Sequence, residues 1–312
     1  MKKYYLLTAI TLLGGTFLFP AKARTPQIGK PRIPLLTDTS YVAYIRLDSV
    51  EPRIGAIKTD RSEERDLWGK RTNIGSTRYG LTFTSEGRTV FYSNTTGIYR
   101  LDRDGAPRRI LDFTASQLQL SPDGRSLLGI KARATSETTE IFTAAVDGTR
   151  VTILTPPGEF ETAPCWSPDG TQVLYVKRGH IWLRKASGAT LREIQTPDAP
   201  IGVRDTFFGV RWSPNGRSIV AGCIAGSGSY ETRICVFNPD GTGFRILPTG
   251  LKYHSGMHWS PDNRKIVFCG GDSTDGSTKY DIFMMNADGS GLVNLTQSPT
   301  VSEVEPRWLA TW

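Results

Sequence analysis

Short segments in which apolar and polar residues alternate recur along most of this 312-residue chain. Gln172–Val176 and Lys265–Phe268 are examples of such segments, which are typical of half-buried β-strands. Gly, Pro, Asp and Asn residues separate the segments, as expected for tight turns between strands. No segment beyond the N-terminal apolar run has sustained helical periodicity. The pattern therefore predicts an all-β fold.

A Trp-Ser-Pro-Asp-Gly sequence, cleanest at Trp166–Gly170, recurs along the chain. Ser, Pro, Asp and Gly suit the four positions of a type I turn, so each copy predicts a β-hairpin. Successive copies are 36, 46, 46, 47 and 49 residues apart. A repeat of about 40–45 residues with four strands is typical of a propeller blade. The copies begin at Thr84 (degenerate), Leu120, Trp166, Trp212, Trp259 and Trp308 (truncated).

A second block recurs with the first, and it consists of an apolar residue, a turn residue six positions later and another apolar residue seven positions after that. The turn residue is Asp in five of the six copies and Ser187 in the other. Two antiparallel strands joined by a tight turn would impose this spacing, and we call them strands c and d of each blade. The copies are Ile54-Asp60-Leu67, Ile98-Asp104-Leu111, Ile141-Asp147-Leu154, Ile181-Ser187-Ile194, Ile234-Asp240-Leu247 and Ile282-Asp288-Leu295.

The two ends of the repeat region complete one another. Residues 41–67 have the pattern of strands b, c and d without a strand a, whereas residues 307–312 have the pattern of a strand a alone. Pairing of the C-terminal strand with the N-terminal strands would close the ring and remove exposed sheet edges. The sequence therefore predicts a six-bladed β-propeller over residues 41–312.

The N-terminal residues have the layout of a secretory signal peptide. Lys2 and Lys3 precede an apolar run over residues 6–19, and Ala21-Lys22-Ala23 follows as a cleavage site. A membrane anchor is the alternative, but the run is short of the roughly 20 residues that span a bilayer. We expect cleavage after Ala23, an extended leader over residues 24–40, no membrane span in the mature chain, and a periplasmic or secreted location.

Charge and cysteine content add two constraints. The formal net charge of +8 is scattered and no aromatic stacking motif accompanies it, so we expect no nucleic-acid partner. An exported chain can form disulfides, and Cys223 and Cys235 lie at similar distances from a Gly-Ser turn on strands b and c of one blade. They are candidates for a cross-strand bridge, and the alternative is that they are small buried hydrophobic residues.

In a propeller, the loops from d to a and from b to c lie on one face, which we call the loop face. The tight a–b and c–d turns lie on the opposite face, so we expect function on the loop face, where loops carry specificity. Its candidate partner-binding residues are Glu161, Asp205, Phe207, Phe208, His254, His258, Asp272, Asp275 and Glu305.

All three histidines are predicted to lie on the loop face, and they are His180, His254 and His258. Imidazoles with a nearby carboxylate can hold a catalytic cation, although a spacing of four residues between His254 and His258 does not converge on a strand. The sequence has no Gly-x-Ser-x-Gly nucleophile motif and no cysteine in the context of an activated thiolate. We therefore predict no catalytic residues, no metal and no cofactor.

The repeat resembles that of the TolB family of periplasmic six-bladed propellers. The resemblance is carried by Trp166–Gly170, by Ile282–Gly291 with Leu295-Thr296, and by the acidic residues before Pro164 and Pro306. It implies docking of an envelope protein, such as a peptidoglycan-associated lipoprotein, at the mouth of the ring. TolB proper has an α/β domain before its propeller, whereas about 17 residues separate Ala23 from the first predicted strand, so we expect no such domain.

The sequence thus predicts a monomeric, non-enzymatic, exported propeller that binds a protein or peptide partner in the cell envelope through its loop face and central opening. The alternative is a metal-dependent lyase or hydrolase that acts on an extracellular polysaccharide or peptide. In that case His254, His258 and neighbouring carboxylates would hold the cation.

Overall fold

The structure, a computed structural model, describes residues 41–309 apart from residues 48–52, 69–79, 85–88, 103–104, 133–137, 156–159, 201–205, 225–230, 274–278 and 299. All described residues belong to one compact unit, which spans residues 33–312. The predicted cleavage site at Ala23, the leader, Asp205 and Asp275 lie outside the described residues. No helix in the described part of the chain is long and apolar enough to cross a membrane.

The described strands form six four-stranded antiparallel sheets, one per blade, as the repeat predicted. The first three blades follow in the order a, b, c, d. Blade 1 contains β24 (Ser302–Leu309), β1 (Tyr41–Leu47), β2 (Arg53–Lys58) and β3 (Glu64–Trp68). Blade 2 contains β4 (Leu81–Phe83), β5 (Thr89–Asn94), β6 (Gly97–Asp102) and β7 (Arg108–Leu111). Blade 3 contains β8 (Ala115–Leu120), β9 (Ser126–Ala132), β10 (Thr139–Ala145) and β11 (Thr152–Ile153).

The last three blades have the same strand order. Blade 4 contains β12 (Glu161–Trp166), β13 (Gln172–Lys177), β14 (His180–Lys185) and β15 (Thr190–Ile194). Blade 5 contains β16 (Phe208–Trp212), β17 (Ile219–Ile224), β18 (Thr232–Phe237) and β19 (Arg245–Leu247). Blade 6 contains β20 (Tyr253–Trp259), β21 (Lys265–Gly271), β22 (Asp281–Asn286) and β23 (Val293–Asn294).

Blade 1 closes the ring, which confirms the prediction from the two chain ends. β24 pairs antiparallel with β1, and Ala43 lies opposite Arg307. The buried carboxylate of Glu303 accepts a hydrogen bond from Arg46 Nε at 3.1 Å, which joins the two strands through an ion pair. The C-terminal strand is thus an integral part of the first sheet.

The predicted a–b turns are built as their residues require. In the Trp166–Gly170 copy, Ser167 Oγ donates to Asp169 Oδ1 at 2.5 Å and accepts from the Gln172 amide at 2.9 Å. The hydrogen bond from Ser167, and then that from the Thr171 amide at 3.0 Å, lower the pKa of Asp169. Gly170 has a φ of 69°, a conformation that glycine adopts without strain.

The degenerate first copy starts one residue earlier than predicted. Thr84 Oγ1 accepts a hydrogen bond from the Thr89 amide at 3.1 Å, which is the role of Ser167 in blade 4. Phe83 therefore occupies the Trp position, and Thr84 replaces the serine rather than the tryptophan. A hydroxyl is what the turn requires at this point, and threonine supplies it as well as serine.

The blades pack face to face through apolar clusters that combine two neighbouring sheets. In one cluster, Leu174 and Val176 of blade 4 pack with Val210, Ile219 and Ala221 of blade 5. Because a single sheet leaves such a face uncovered, each blade is stabilised by its neighbours.

Cys223 and Cys235, the candidates for a cross-strand bridge, do not lie directly opposite one another. Cys223 lies opposite Arg233, and Cys235 lies opposite Ala221, so the two cysteines are diagonal neighbours. Both are buried free thiols in this structure. Diagonal Cα atoms are about 7–8 Å apart, beyond the usual span of a disulfide, so a bridge would require the strands to shift. Burial and hydrogen bonding with Cys223 raise the pKa of Cys235.

The c–d turns of blades 3, 5 and 6 lie in close contact with the preceding blade. A Cβ atom on Gly241 would lie 1.6 Å from the carbonyl oxygen of Gln195, which follows the outer strand of blade 4. Gly188 occupies the same turn position in blade 4, and a Cβ there would have no atom within 4 Å. Both glycines have positive φ, 92° and 108°.

We expect Gly241→Ala to destabilise the propeller by about 2–4 kcal/mol, because it adds a steric clash between blades to the backbone strain. Gly188→Ala is the matched control. It introduces backbone strain without a steric clash, so we expect the free energy of unfolding to fall by about 1–2 kcal/mol. Urea unfolding followed by circular dichroism measures both values. Equal losses in the two variants would contradict the proposed blade contact.

A chain that ends at Val301 lacks β24 and leaves the edge of β1 unpaired. We expect its melting temperature to fall by at least about 10 °C, or its unfolding to lose cooperativity, because both strand pairing and interblade packing are lost. Thermal unfolding and size-exclusion chromatography test this. A chain that ends at Leu309 is the control, and full stability of the shorter chain would contradict closure by β24.

Candidate functional site in the central channel

The first strand of each blade of a propeller lies next to the central axis, and first strands contact one another between blades 2 and 3, 3 and 4, 4 and 5, 5 and 6, and 6 and 1. Each blade has a residue with positive φ three positions before the Trp position of the repeat, in its first strand or, in blade 2, directly before it. In five of the blades the pairing register shifts at this residue, as in a β-bulge. The six residues are Gly80, Gln117, Ala163, Gly209, Gly256 and Glu305.

The bulges hold neighbouring blades together. Gln117 Oε1 accepts a hydrogen bond from the Ala163 amide at 2.7 Å, and Gln119 Nε2 donates to the Pro164 carbonyl at 2.7 Å. A Cβ atom on Gly256 would lie 3.1 Å from Pro306 Cδ. The backbone around the channel is therefore closely packed at this level.

Two positions after the bulge, each blade has one residue that is polar in five of the six blades. We call these residues the inner ring. Arg211 Nε donates to His258 Nε2 at 3.3 Å, and Arg211 Nη1 donates to the Val210 carbonyl at 2.7 Å. Arg307 Nη2 donates to Glu305 at 3.0 Å. The inner ring consists of Thr82, Gln119, Cys165, Arg211, His258 and Arg307.

Charges interact strongly within this ring because it is shielded from water. Burial lowers the pKa of His258 well below its usual range, and the charges of Arg307 and Arg211 lower it further. His258 is therefore neutral at pH 7. Burial also lowers the pKa of Arg307, against the effect of Glu305, although a guanidinium keeps its charge in proteins.

Three of the predicted partner-binding residues are buried. Glu161, Phe207 and His254 stand at equivalent positions, two before the bulge. There they support the fold and are not accessible to a partner. Phe208 is half-buried and packs on the core between blades 5 and 6.

Two of the predicted residues are accessible. Asp272 is exposed at the end of β21. Glu305 lies at the bulge of β24, and 49% of its side chain is exposed, so water reaches the channel at this level.

The three histidines do not converge. Thr232 Oγ1 lies 3.1 Å from His254 Nδ1, and Thr249 Oγ1 lies 2.6 Å from His254 Nε2, so both ring nitrogens are engaged. His258 faces two arginines, and His180 Nδ1 contacts Glu193 at 2.8 Å. The cation site proposed for the alternative function, with His254 and His258 as ligands, is therefore not assembled. No group of three or more His, Cys, Asp or Glu side chains that could hold a metal ion occurs among the residues described above.

Gln119, Arg211 and Arg307 were not among the site residues predicted from the sequence. The signal was present, because each inner-ring residue immediately precedes the Trp position of its repeat copy. Alignment of the copies on that position collects the ring, but the alignment alone does not show that these side chains meet.

No protein-family model matches this chain, and no curated protein sequence matches it either. Solved structures do match it. TolB from Acinetobacter baumannii has 19% identity and a TM-score of 0.69, and the match covers 87% of this chain and 67% of that chain. A putative TolB from Agrobacterium tumefaciens has 17% identity and a TM-score of 0.61, with 86% and 99% covered.

A third match shows how widely this fold is used. Kuenenia stuttgartiensis hydrazine synthase has 12% identity and a TM-score of 0.67, with 86% of this chain and 46% of that chain covered. At these identities the matches show the fold alone, and the chain has a TolB-like propeller fold, as the repeat indicated. The same fold also occurs in an enzyme, so it does not by itself decide the activity.

The buried His254 makes stability dependent on pH. Burial lowers its pKa to about 4, below the value of about 6.5 in an unfolded chain. The unfolded chain therefore takes up the proton first, and stability that is present above pH 6.5 is lost as the pH falls towards 4.

We expect the free energy of unfolding to fall by about 2 kcal/mol more in the native protein than in His254→Gln between pH 7.5 and 4.5. The glutamine amide can still hydrogen-bond to the threonine hydroxyls but does not titrate. Urea unfolding at the two pH values measures the difference. The same pH dependence in both proteins would show that His254 is not the group that titrates.

Proposed function

We propose that this protein is an exported, non-enzymatic propeller that binds a protein or peptide partner in the cell envelope through its loop face and central opening. The observation that carries the proposal is the TolB-like ring, closed by β24, with polar side chains converging in its channel. A closed ring holds the loops on a rigid frame, so that a partner can bind without ordering the backbone first.

Export is part of the proposal and is supported by the sequence of residues 1–23. Their basic start, short apolar run and Ala-Lys-Ala ending are typical of a cleaved signal peptide. Cleavage after Ala23 would release the propeller into the periplasm or the medium. A periplasmic location suits the likeness to the two TolB structures.

The loop face of blade 6 offers a surface suited to a protein partner, which we call the blade 6 patch. The rings of Tyr253 and Tyr280 stack with centroids 4.4 Å apart, and the exposed Lys252 and Lys279 adjoin them. Lys252 donates its amide to the carbonyl of Gly271, which ties the d–a loop to the second strand. Aromatic residues framed by charged side chains are common at protein interfaces.

The double variant Lys252→Glu/Lys279→Glu tests the blade 6 patch. We expect about tenfold weaker partner binding, because the charge at the edge of the interface is reversed while the fold is unchanged. Tagged mature protein would capture the partner from envelope extracts of the source organism, and biolayer interferometry with the purified partner would measure the affinity.

Arg217→Glu is the control, because Arg217 is an exposed cation on an a–b turn of the opposite face. Partner binding through the loop face requires that this variant bind as the native protein does. An equal loss in both variants would place the interface elsewhere. Failure to capture any partner, together with measurable turnover of an oligosaccharide or peptide, would overturn the proposed function.

A further inference from the structure

We propose that the inner ring contains a binding site for a single carboxylate group, formed by Arg211, Arg307 and His258. This site is separate from the blade 6 patch, and the proposal holds whether or not the loop face binds a protein. Three observations support it, and they concern an unpaired charge, the local charge balance and the hydrogen-bond donors that remain without a partner.

Arg211 is a buried cation without a carboxylate partner. Only 7% of its surface is exposed, and its guanidinium contacts the Val210 carbonyl and the His258 ring but no acidic group among the described residues. A buried charge that lacks a counter-ion is strongly unfavourable, so such groups generally pair with an anion. The structure thus has a position where an anionic group would be stabilised.

The charge balance indicates which anion fits. Arg307, with 11% of its side chain exposed, is paired with Glu305, while His258 is neutral at pH 7. Two guanidinium groups and one carboxylate leave a net charge of +1. A monovalent anion neutralises this charge, whereas a divalent anion such as sulfate would leave an excess of negative charge in a shielded site.

The available donors suit the geometry of a carboxylate. Arg211 uses Nε and Nη1 in the contacts above, which leaves Nη2 free to donate. Because His258 Nε2 accepts from Arg211, a neutral His258 carries its proton on Nδ1, and this N–H has no acceptor in the described part of the chain. Two directed N–H groups can each bind one oxygen of a carboxylate.

We infer that a carboxylate reaches this site from the level of Glu305, which lies two residues before Arg307 and is half exposed. Because only 7% of the surface of Arg211 is exposed, we expect a small group alone to fit beside it. We therefore expect either a free small carboxylate or the terminal carboxylate of an extended peptide to enter.

Thermal unfolding of the mature protein in sodium acetate, sodium chloride and sodium sulfate at equal ionic strength tests the site. We expect acetate to raise the melting temperature by about 2–4 °C relative to chloride and sulfate, because the anion binds the folded state alone. Arg211→Gln should lose this rise. Arg217→Gln, which changes an exposed arginine of the same blade, should keep it.

Arg211→Gln should also melt no lower than the native protein in chloride, because it removes an uncompensated buried charge. Should it fail to fold, Arg211→Lys serves instead, since lysine keeps the charge but loses the planar fork, and the acetate effect should fall by at least half. An equal response of all variants, a larger effect of sulfate, or no effect of acetate on the native protein would overturn the proposal.

The two sources of the carboxylate are distinguished with N-acetyl-trialanine and its C-terminal amide. Stabilisation by the acid but not by the amide supports the site. Affinity for the acid at least tenfold above that for acetate identifies a peptide terminus as the ligand, and equal affinity identifies a free small carboxylate. Stabilisation by acid and amide alike would contradict carboxylate recognition.

Discussion

Pairing between β24 and β1 is the interaction on which the rest of the structure depends. It joins residues 302–309 to residues 41–47, so the first blade is complete only when the two ends of the propeller sequence meet. Arg307 and Glu305 belong to β24, and the inner ring is therefore incomplete until that pairing forms. The buried ion pair between Arg46 and Glu303 adds a specific link to the backbone hydrogen bonds. Ring closure thus produces both a complete four-stranded first blade and a complete inner ring.

Within the closed ring, some structural features recur in the blades, whereas the side chains at one position differ from blade to blade. The turn hydroxyls, the bulge and the interblade apolar faces recur because every blade must pack against its two neighbours in the same way. The residue two positions after the bulge is not constrained in this way, and it is Thr82, Gln119, Cys165, Arg211, His258 or Arg307 in the six blades. A common backbone therefore brings chemically different side chains to equivalent positions around one axis.

Buried polar groups in this protein fall into two kinds. His254 has a hydroxyl at each ring nitrogen, so its polarity is satisfied within the fold and it holds the start of β20 in place. Arg211 has contacts that satisfy only part of its hydrogen-bonding capacity and none of its charge. The first kind stabilises structure, whereas the second is favourable only if something else supplies the opposite charge. This contrast separates His254 from Arg211.

The sequence by itself determined the strand pattern, the number of blades, the turn chemistry and the way the ends meet, because these features depend on spacing and residue type over short distances. It did not determine the cross-strand register of Cys223 and Cys235, or the burial of Glu161 and Phe207 at the start of their strands. Nor did it show that Arg211, His258 and Arg307 meet, since they lie on three different blades. Only the curvature of the closed ring brings such residues together, and that curvature results from the packing of whole sheets rather than from any local pattern.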